Sequence, residues 1–115
     1  MRSQTIFIQG LNMEITYLIG ENKADNFHVI DNSSPNDIWI HANHISSCHV
    51  VCKMPDGIKR KDIRYIIKAG ALLCKKYTGK LNGLVTDFVY CKISDVRKTD
   101  VIGCVSVSNS KNIIV

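Results

Sequence analysis

The chain has 115 residues, of which 45% are hydrophobic and 22% are charged. This length allows one domain with one core, and the composition is that of a globular protein rather than a disordered or fibrous one. No apolar run approaches the roughly 18 to 20 residues that span a bilayer. The five cysteines lack the short regular spacing of a disulfide scaffold. We therefore expect a single domain over residues 1–115, soluble and cytoplasmic, with free thiols and no contact with a membrane.

Positive charge is concentrated in the middle of the chain. Residues 1–52 contain two basic and five acidic residues, whereas residues 53–80 contain nine basic and two acidic ones, a net charge of +7 in that block. A basic block this dense in a small domain favours a polyanionic partner. Nucleic acid, either RNA or DNA, is therefore the first class of ligand to consider.

The first half of the chain has strand signals in four segments, at residues 15–19, 27–30, 37–42 and 49–53. These segments are rich in β-branched and aromatic residues, and turn-forming residues separate them. They predict an antiparallel meander.

After residue 57 a helical period replaces the strand pattern. Apolar side chains recur at helical spacing from Ile63 to Tyr77, which predicts an amphipathic helix from about Lys59 to Thr78 with Gly79 ending it. Gly70 lies on the apolar stripe, where glycine costs about 1 kcal/mol relative to alanine. We therefore expect a strand to approach the helix backbone closely at this residue.

The opposite side of this helix is basic. A positive stripe with almost no acidic neighbours can bind phosphates or can simply be solvated, and the pattern alone leaves both readings open. The candidate nucleic-acid-binding residues here are Lys59, Arg60, Lys61, Arg64, Lys68 and Lys75.

The last third returns to strand signals, at residues 84–92, 104–107 and 112–115, with a polar connection that contains Arg97 and Lys98. The order of strands, one helix and strands predicts an α+β fold. We expect a mostly antiparallel sheet packed against one long amphipathic helix.

Residues 36–50 combine the one tryptophan with three of the four histidines. Strand alternation places Asp37, Trp39 and His41 on the face opposite the isoleucines, and this face is either open to solvent or covered in part. An open Trp39 is a platform for stacking a base. A covered Trp39 is a core residue whose indole N–H bonds to Asp37 or to a backbone carbonyl.

The same segment gives little support for a metal site or for catalysis. It has no C-x-x-C or H-x-x-x-H pair, and strand alternation places the neighbouring Cys48 and His49 on opposite faces. We therefore expect no catalytic residues, no metal and no cofactor, and interpret the chain as a binding module rather than an enzyme.

Two motifs carry a resemblance. Asp37-Ile38-Trp39-Ile40-His41 is followed by Ser47-Cys48-His49-Val50, and Gly20, Asn22 and Asn26 precede both. In this order they resemble the NFACT-R domain, the RNA-binding module of NFACT proteins, and most of all the free-standing eukaryotic members. The signature residues that the resemblance implies are Asn22, Asn26, Asp37, Trp39, His41 and His49.

The resemblance also extends to the Val96-Arg97-Lys98 turn and adds Arg97 and Lys98 to the candidate nucleic-acid-binding residues. It implies RNA binding, to tRNA or rRNA, in translation and ribosome-associated quality control. Glu21 departs from the family, which often has arginine there. The alternatives are a DNA-binding module, or a protein-interaction module that docks on the ribosome or another protein through the same basic helix.

Overall fold

A computed structural model describes residues 1–115. The strands are β1 (Arg2–Ile8), β2 (Met13–Ile19), β3 (Ile38–Ala42), β4 (Val50–Cys52), β5 (Asp87–Lys92), β6 (Val96–Lys98), β7 (Val105–Val107) and β8 (Lys111–Ile114). The helices are α1 (Lys23–Asp31) and α2 (Ile63–Thr78), with short 3-10 turns at Arg60–Asp62 and Ile93–Asp95. The predicted α+β class and its mostly antiparallel sheet are confirmed. No helix in the structure is both long enough and apolar enough to cross a membrane.

The main sheet has six strands in the order β1-β2-β4-β3-β5-β8, and every neighbouring pair is antiparallel. The predicted meander is therefore wrong in its order, because β4 lies between β2 and β3. The chain leaves β2 through α1 and returns to the sheet at β3, two positions from β2, and β4 then fills the place between them. The sheet also gains β1, an edge strand that the sequence interpretation missed.

The predicted strand at residues 27–30 is also wrong, because these residues belong to α1. Asn22 caps this helix, and its side-chain oxygen accepts the backbone N–H of Asp25 at 2.8 Å. A polar residue in this place supplies a bond that the first turn of a helix otherwise lacks. The four-residue run Phe27 to Ile30 looks like a short strand only when this cap is overlooked.

The long helix is confirmed, although its α-helical part begins at Ile63, after the 3-10 turn. Gly79 ends it with a positive φ of 69°. The expected close approach of a strand to the helix at Gly70 is present, since a Cβ built there would lie 2.6 Å from Ile40 Cδ1 and 2.9 Å from Cys52 Sγ. The helix lies directly on the middle strands β3 and β4.

The sheet has two apolar faces, and each has its own cover. Ile38, Ile40 and Ala42 of β3 pack with the apolar stripe of α2 in the larger core. Trp39 packs on the reverse face in a second cluster, with residues of α1 and of the two-stranded β6–β7 sheet. The molecule therefore has three layers, and the predicted pair of sheet and long helix accounts for two of them.

Candidate nucleic-acid interface

The outer side of α2 presents cations without acidic partners. Lys61, Arg64, Lys68 and Lys76 are exposed, as are Lys59 and Arg60 before the helix. The five ion pairs of the structure involve the terminal amine, Arg2, His28, Lys53 and Lys98, so no basic residue between 59 and 80 pairs with a carboxylate. Uncompensated cations on one helix face give a positive surface that attracts phosphates.

Two of the predicted cations have local partners within the protein. Lys75 is half-buried, and its Nζ donates to the backbone carbonyl of Val115 at 3.0 Å. The guanidinium of Arg64 lies 5.0 Å from the ring centre of Tyr65, and its Nη2 donates to the phenol oxygen at 3.3 Å. Lys75 thus ties α2 to the end of β8, whereas Arg64 remains exposed to a ligand.

Beside this helix lies a groove of about 580 Å³, on the side of β5 and β8. Sheet register explains its far wall, since Tyr90 of β5 pairs with Ile40 and with Lys111, while Lys92 pairs with Ile38. Paired residues project to the same face, so Tyr90, Lys92 and Lys111 face the helix side of the sheet. The groove is lined by Ile38, Arg60, Ile63, Arg64, Ile67, Tyr90, Cys91, Lys92, Asp95, Asn109 and Lys111.

Lys92 and Lys111 are not among the cations predicted from the sequence, because they belong neither to the basic block nor to the Val96-Arg97-Lys98 turn. Strand alternation at residues 89–92 places Tyr90 and Lys92 on one face, and this is the signal that could have found Lys92. Nothing in the sequence reveals that Lys111 lies beside Tyr90, since this depends on the pairing of β5 with β8.

Arg97 and Lys98 lie on the other side of the molecule. Their strand, β6, belongs to the small sheet that covers the Trp39 face. Lys98 pairs with Asp31, and Arg97 Nη1 donates to the carbonyl of Ser94 at 2.7 Å. The structure therefore does not bring the predicted cations together on one surface.

The tryptophan of the signature is a core residue. Trp39 is 3% exposed, and its neighbours in the second cluster are Leu18, Val29, Val51, Cys91 and Val96. A base cannot stack on an indole that is covered in this way. Of the two readings of Trp39, the geometry therefore supports the core residue, and the face on which Trp39 lies is closed over it rather than open.

The indole N–H finds a partner that the sequence interpretation did not name. Trp39 Nε1 donates to Nδ1 of His49 at 3.1 Å, rather than to Asp37 or to a backbone carbonyl. Burial and, to a smaller extent, the neighbouring His41 together lower the pKa of His49 to about 3. The neutral ring that results can accept the indole proton at Nδ1.

His41 completes a set of three packed rings. It stacks parallel to Trp39 at 5.7 Å and lies edge-on to His49 at 5.0 Å between ring centres. Burial lowers the pKa of His41 as well, although the ring keeps some contact with solvent. His41 is therefore the one ring of the three that a ligand could reach.

Asp37 stabilises the turn before β3. Its carboxylate accepts the backbone N–H groups of Ser34 and Met54 at 2.8 and 2.9 Å, and Lys53 Nζ lies 2.8 Å from its Oδ2. Burial alone would raise the pKa of Asp37, but these three donors outweigh it and lower the pKa. The carboxylate is thus held as an anion inside the protein.

The two signature asparagines also have structural partners. Asn22 caps α1, and Asn26 Oδ1 accepts the backbone N–H of His49 at 3.2 Å. A Cβ at Gly20 would lie 2.2 Å from this Oδ1 and 2.9 Å from the Cα of Asn26, so only glycine leaves room there. The spacing of Gly20, Asn22 and Asn26 therefore fixes α1 against His49, the residue before β4.

The side chain of Cys48 lies against α2. Its Sγ is 3.7 Å from Cys74 Sγ, and hydrogen bonding between the two thiols lowers the pKa of Cys48, as does the hydrogen bond from the hydroxyl of Thr78. Cys48 also lines a polar cavity of about 330 Å³ between the start of α1 and the end of α2. No three His, Cys, Asp or Glu side chains lie close enough together to hold a metal ion.

A family model described as the NFACT protein RNA binding domain matches residues 5–109 of the chain. The chain belongs to this family. The family is described by RNA binding and not by a catalytic activity. The match confirms the resemblance to the NFACT-R domain that the sequence motifs indicated.

The NFACT-R chain is also similar to longer proteins. It is 31% identical over 88 residues to coiled-coil domain-containing protein 25 of Danio rerio. The matched region covers 73% of this chain and 42% of that protein. It is 30% identical over 93 residues to the Mus musculus protein of the same name, which covers 73% and 41%. The chain therefore spans about two fifths of the length of these curated relatives.

One solved structure supports the fold of this NFACT-R chain. The C-terminal part of the fibronectin/fibrinogen-binding protein from Streptococcus suis superposes with a TM-score of 0.79 at 15% identity. The match covers all of this chain and 45% of that one. At this identity the similarity establishes the architecture alone.

Proposed function

We propose that this NFACT-R domain binds RNA through phosphate contacts made by the exposed cations of α2. The observation that carries the proposal is the absence of acidic partners along the helix, where Lys61, Arg64 and Lys68 share one exposed side. A surface helix that serves only solubility usually mixes charges of both signs. The family description, an RNA-binding domain, supports RNA as the polyanion.

The proposal extends to tRNA or rRNA as the RNA, and to a role in translation and ribosome-associated quality control in the cytoplasm. This extension rests on the resemblance to NFACT proteins, in which the module works beside other RNA-contacting domains. DNA is the competing ligand, because cations that contact phosphates do not distinguish the two sugars. The affinity of the protein for tRNA, compared with its affinity for a DNA duplex of equal charge, distinguishes the two ligands.

Salt dependence is the direct test of phosphate contact. If six phosphates are neutralised on a single strand, the logarithm of affinity should fall against the logarithm of salt concentration with a slope of about −4. Fluorescence anisotropy with a labelled single-stranded RNA over a salt series measures this slope. A flat response, or no binding at low salt, contradicts the proposal.

A matched pair of triple variants locates the surface. Reversal of Lys61, Arg64 and Lys68 to glutamate should abolish binding, because these cations lie together on α2. Reversal of Lys23, Arg97 and Lys98 changes the total charge equally but on the opposite side of the sheet, and it should weaken binding far less. Equal losses from both triples would mean that net charge, and not this helix, determines binding.

The alternative is a protein partner with an acidic surface, on the ribosome or elsewhere. The basic face of α2 supports it too, since Leu72 is 49% exposed among the lysines and gives that face an apolar contact. Affinity purification with and without nuclease treatment distinguishes the two. Complexes that survive nuclease favour protein docking, and complexes that dissociate favour RNA.

A further inference from the structure

The groove between α2 and the β5–β8 side of the sheet has the shape of a small-molecule site. Its volume, about 580 Å³, lies within the range of roughly 300 to 1,000 Å³ that such sites occupy. The helix rests on β3 and β4, and so leaves the neighbouring strand β5 partly open beside it. A flat or convex basic surface is enough to contact the phosphates of a regular duplex. The presence of a groove therefore indicates a ligand that enters it.

The two rims of the groove carry cations on opposite sides. Arg60 and Arg64 come from the start of the helical segment, whereas Lys92 and Lys111 come from the strands. Against these four basic residues the lining has one carboxylate, Asp95. Phosphates that follow the groove are therefore within reach of a cation on either side.

Between the rims the lining is apolar and includes an aromatic ring. Ile63 and Ile67 come from the helix, Ile38 from β3, and Tyr90 from the strand that faces them. Tyr90 is half-buried, so part of its ring is available for contact. An aromatic ring with apolar neighbours between two cationic rims suits a planar base joined to phosphates.

We infer that this groove takes one unpaired nucleotide of an RNA strand. The base packs against Tyr90 and the isoleucines, and the flanking phosphates contact Arg60 and Arg64 on one side and Lys92 and Lys111 on the other. In a duplex the bases are stacked and paired, so the apolar part of the groove stays empty unless a base leaves the helix. The inference deepens the proposed function and rests on it.

The test compares single and double strands on the whole chain. Fluorescence anisotropy is measured with a short labelled RNA and with the same RNA annealed to its complement, at one salt concentration. We expect the single strand to bind at least about tenfold more tightly, since stacking of one base on an aromatic side chain is of this size. Equal affinity for both forms overturns the inference.

Two groove variants and one control make the test specific. Lys111→Glu should lower the affinity for the single strand about tenfold, and more than Lys23→Glu, which reverses an exposed lysine of α1 outside the groove. Tyr90→Leu keeps an apolar side chain but removes the ring, and should reduce the affinity for the single strand about tenfold while leaving the affinity for the duplex unchanged.

The outcomes separate the inference from the function on which it rests. If RNA binds but Lys111→Glu and Tyr90→Leu weaken it no more than Lys23→Glu does, RNA binding stands and the groove is not its site. If neither RNA form binds at low salt, both the proposed function and the groove are contradicted. Because Lys111 is exposed at the edge of the sheet, its variant reports on binding even if Tyr90→Leu disturbs folding.

Discussion

The two faces of the sheet differ in how they use their distinctive residues. On one face the signature residues Trp39 and His49 are buried and bonded to each other, under α1 and the small sheet. On the other face α2 carries a row of cations that bond to no carboxylate and lie beside an open groove. The signature residues Trp39 and His49 thus stabilise the fold. The cations of α2, which are not part of the signature, form the surface that a ligand can reach.

The largest expected effect is on the buried face. Trp39→Ala should reduce the free energy of unfolding by about 3 to 5 kcal/mol, as truncation of a buried aromatic does. Denaturant unfolding measures it, and Phe7→Ala, at an aromatic side chain that is 53% exposed, is the control. A Trp39→Ala protein of unchanged stability that no longer binds RNA would reverse the comparison between the faces.

Gly20→Ala should come next in size. A methyl group there meets the side chain and the backbone of Asn26 at once, so α1 must shift. Overpacking of this kind costs about 1 to 3 kcal/mol. Gly10→Ala, whose added Cβ meets Tyr65 only at an ordinary 3.4 Å, is the matched control. If both variants unfold at the same denaturant concentration, Asn26 does not hold α1 in the way described.

The histidines of the buried face should make stability depend on pH. Burial lowers the pKa of both His41 and His49, so the unfolded chain takes up protons first as the pH falls below the usual histidine value. Their contribution is therefore complete above about pH 6.5. As the pH falls from there towards about 3, His49 removes up to about 1.4 kcal/mol of stability per pH unit, and His41 adds to the loss.

This prediction is checked by denaturant unfolding at pH 7 and pH 5. Carboxylates stay largely ionised over that window, because their usual pKa values lie near 4. His49→Gln should flatten the dependence, since it removes the more strongly shifted of the two rings. A free energy of unfolding that is the same at both pH values would mean that these rings are not buried as neutral groups.

The smallest effect on stability is expected on the basic face. Reversal of Lys61, Arg64 and Lys68 should change the free energy of unfolding by no more than about 0.5 kcal/mol each, because the side chains are exposed and form no ion pairs. The same reversal should remove RNA binding. Substitution on the basic face should therefore change the affinity and not the melting temperature, whereas Trp39→Ala on the buried face should lower the melting temperature. A large drop in melting temperature would show that these residues also support the fold.

Local pattern was enough to predict α2 and most strands of the sheet. The period of the apolar residues around Gly70 extends over four turns, and tertiary packing agrees with it. It failed at α1, whose apolar residues form no stripe and whose Asn22 cap was the one clear signal. It also failed at the order of the strands, because β4 pairs with β2 through contacts that no local pattern encodes.

The candidate site was predictable only in part, for the same reason. The cations of α2 follow from composition and helical spacing, and neither Lys61 nor Lys68 pairs with a carboxylate in the structure. Lys111 joins Arg64 only because β5 pairs with β8 and the helix lies across the neighbouring strands. The sequence alone allows Trp39 to be either a stacking platform or a core residue, because it does not reveal that α1 and the small sheet cover it.

The most direct test of the difference between the faces is to map where RNA touches the protein. Ultraviolet crosslinking of the chain to bound RNA, followed by mass spectrometry, identifies the residues in contact. We expect crosslinks at Tyr90 and in the peptides that carry Arg64 and Lys111, and none at Trp39 or His49. Crosslinks at Trp39 or His49, with none along α2 or the groove, would contradict the account.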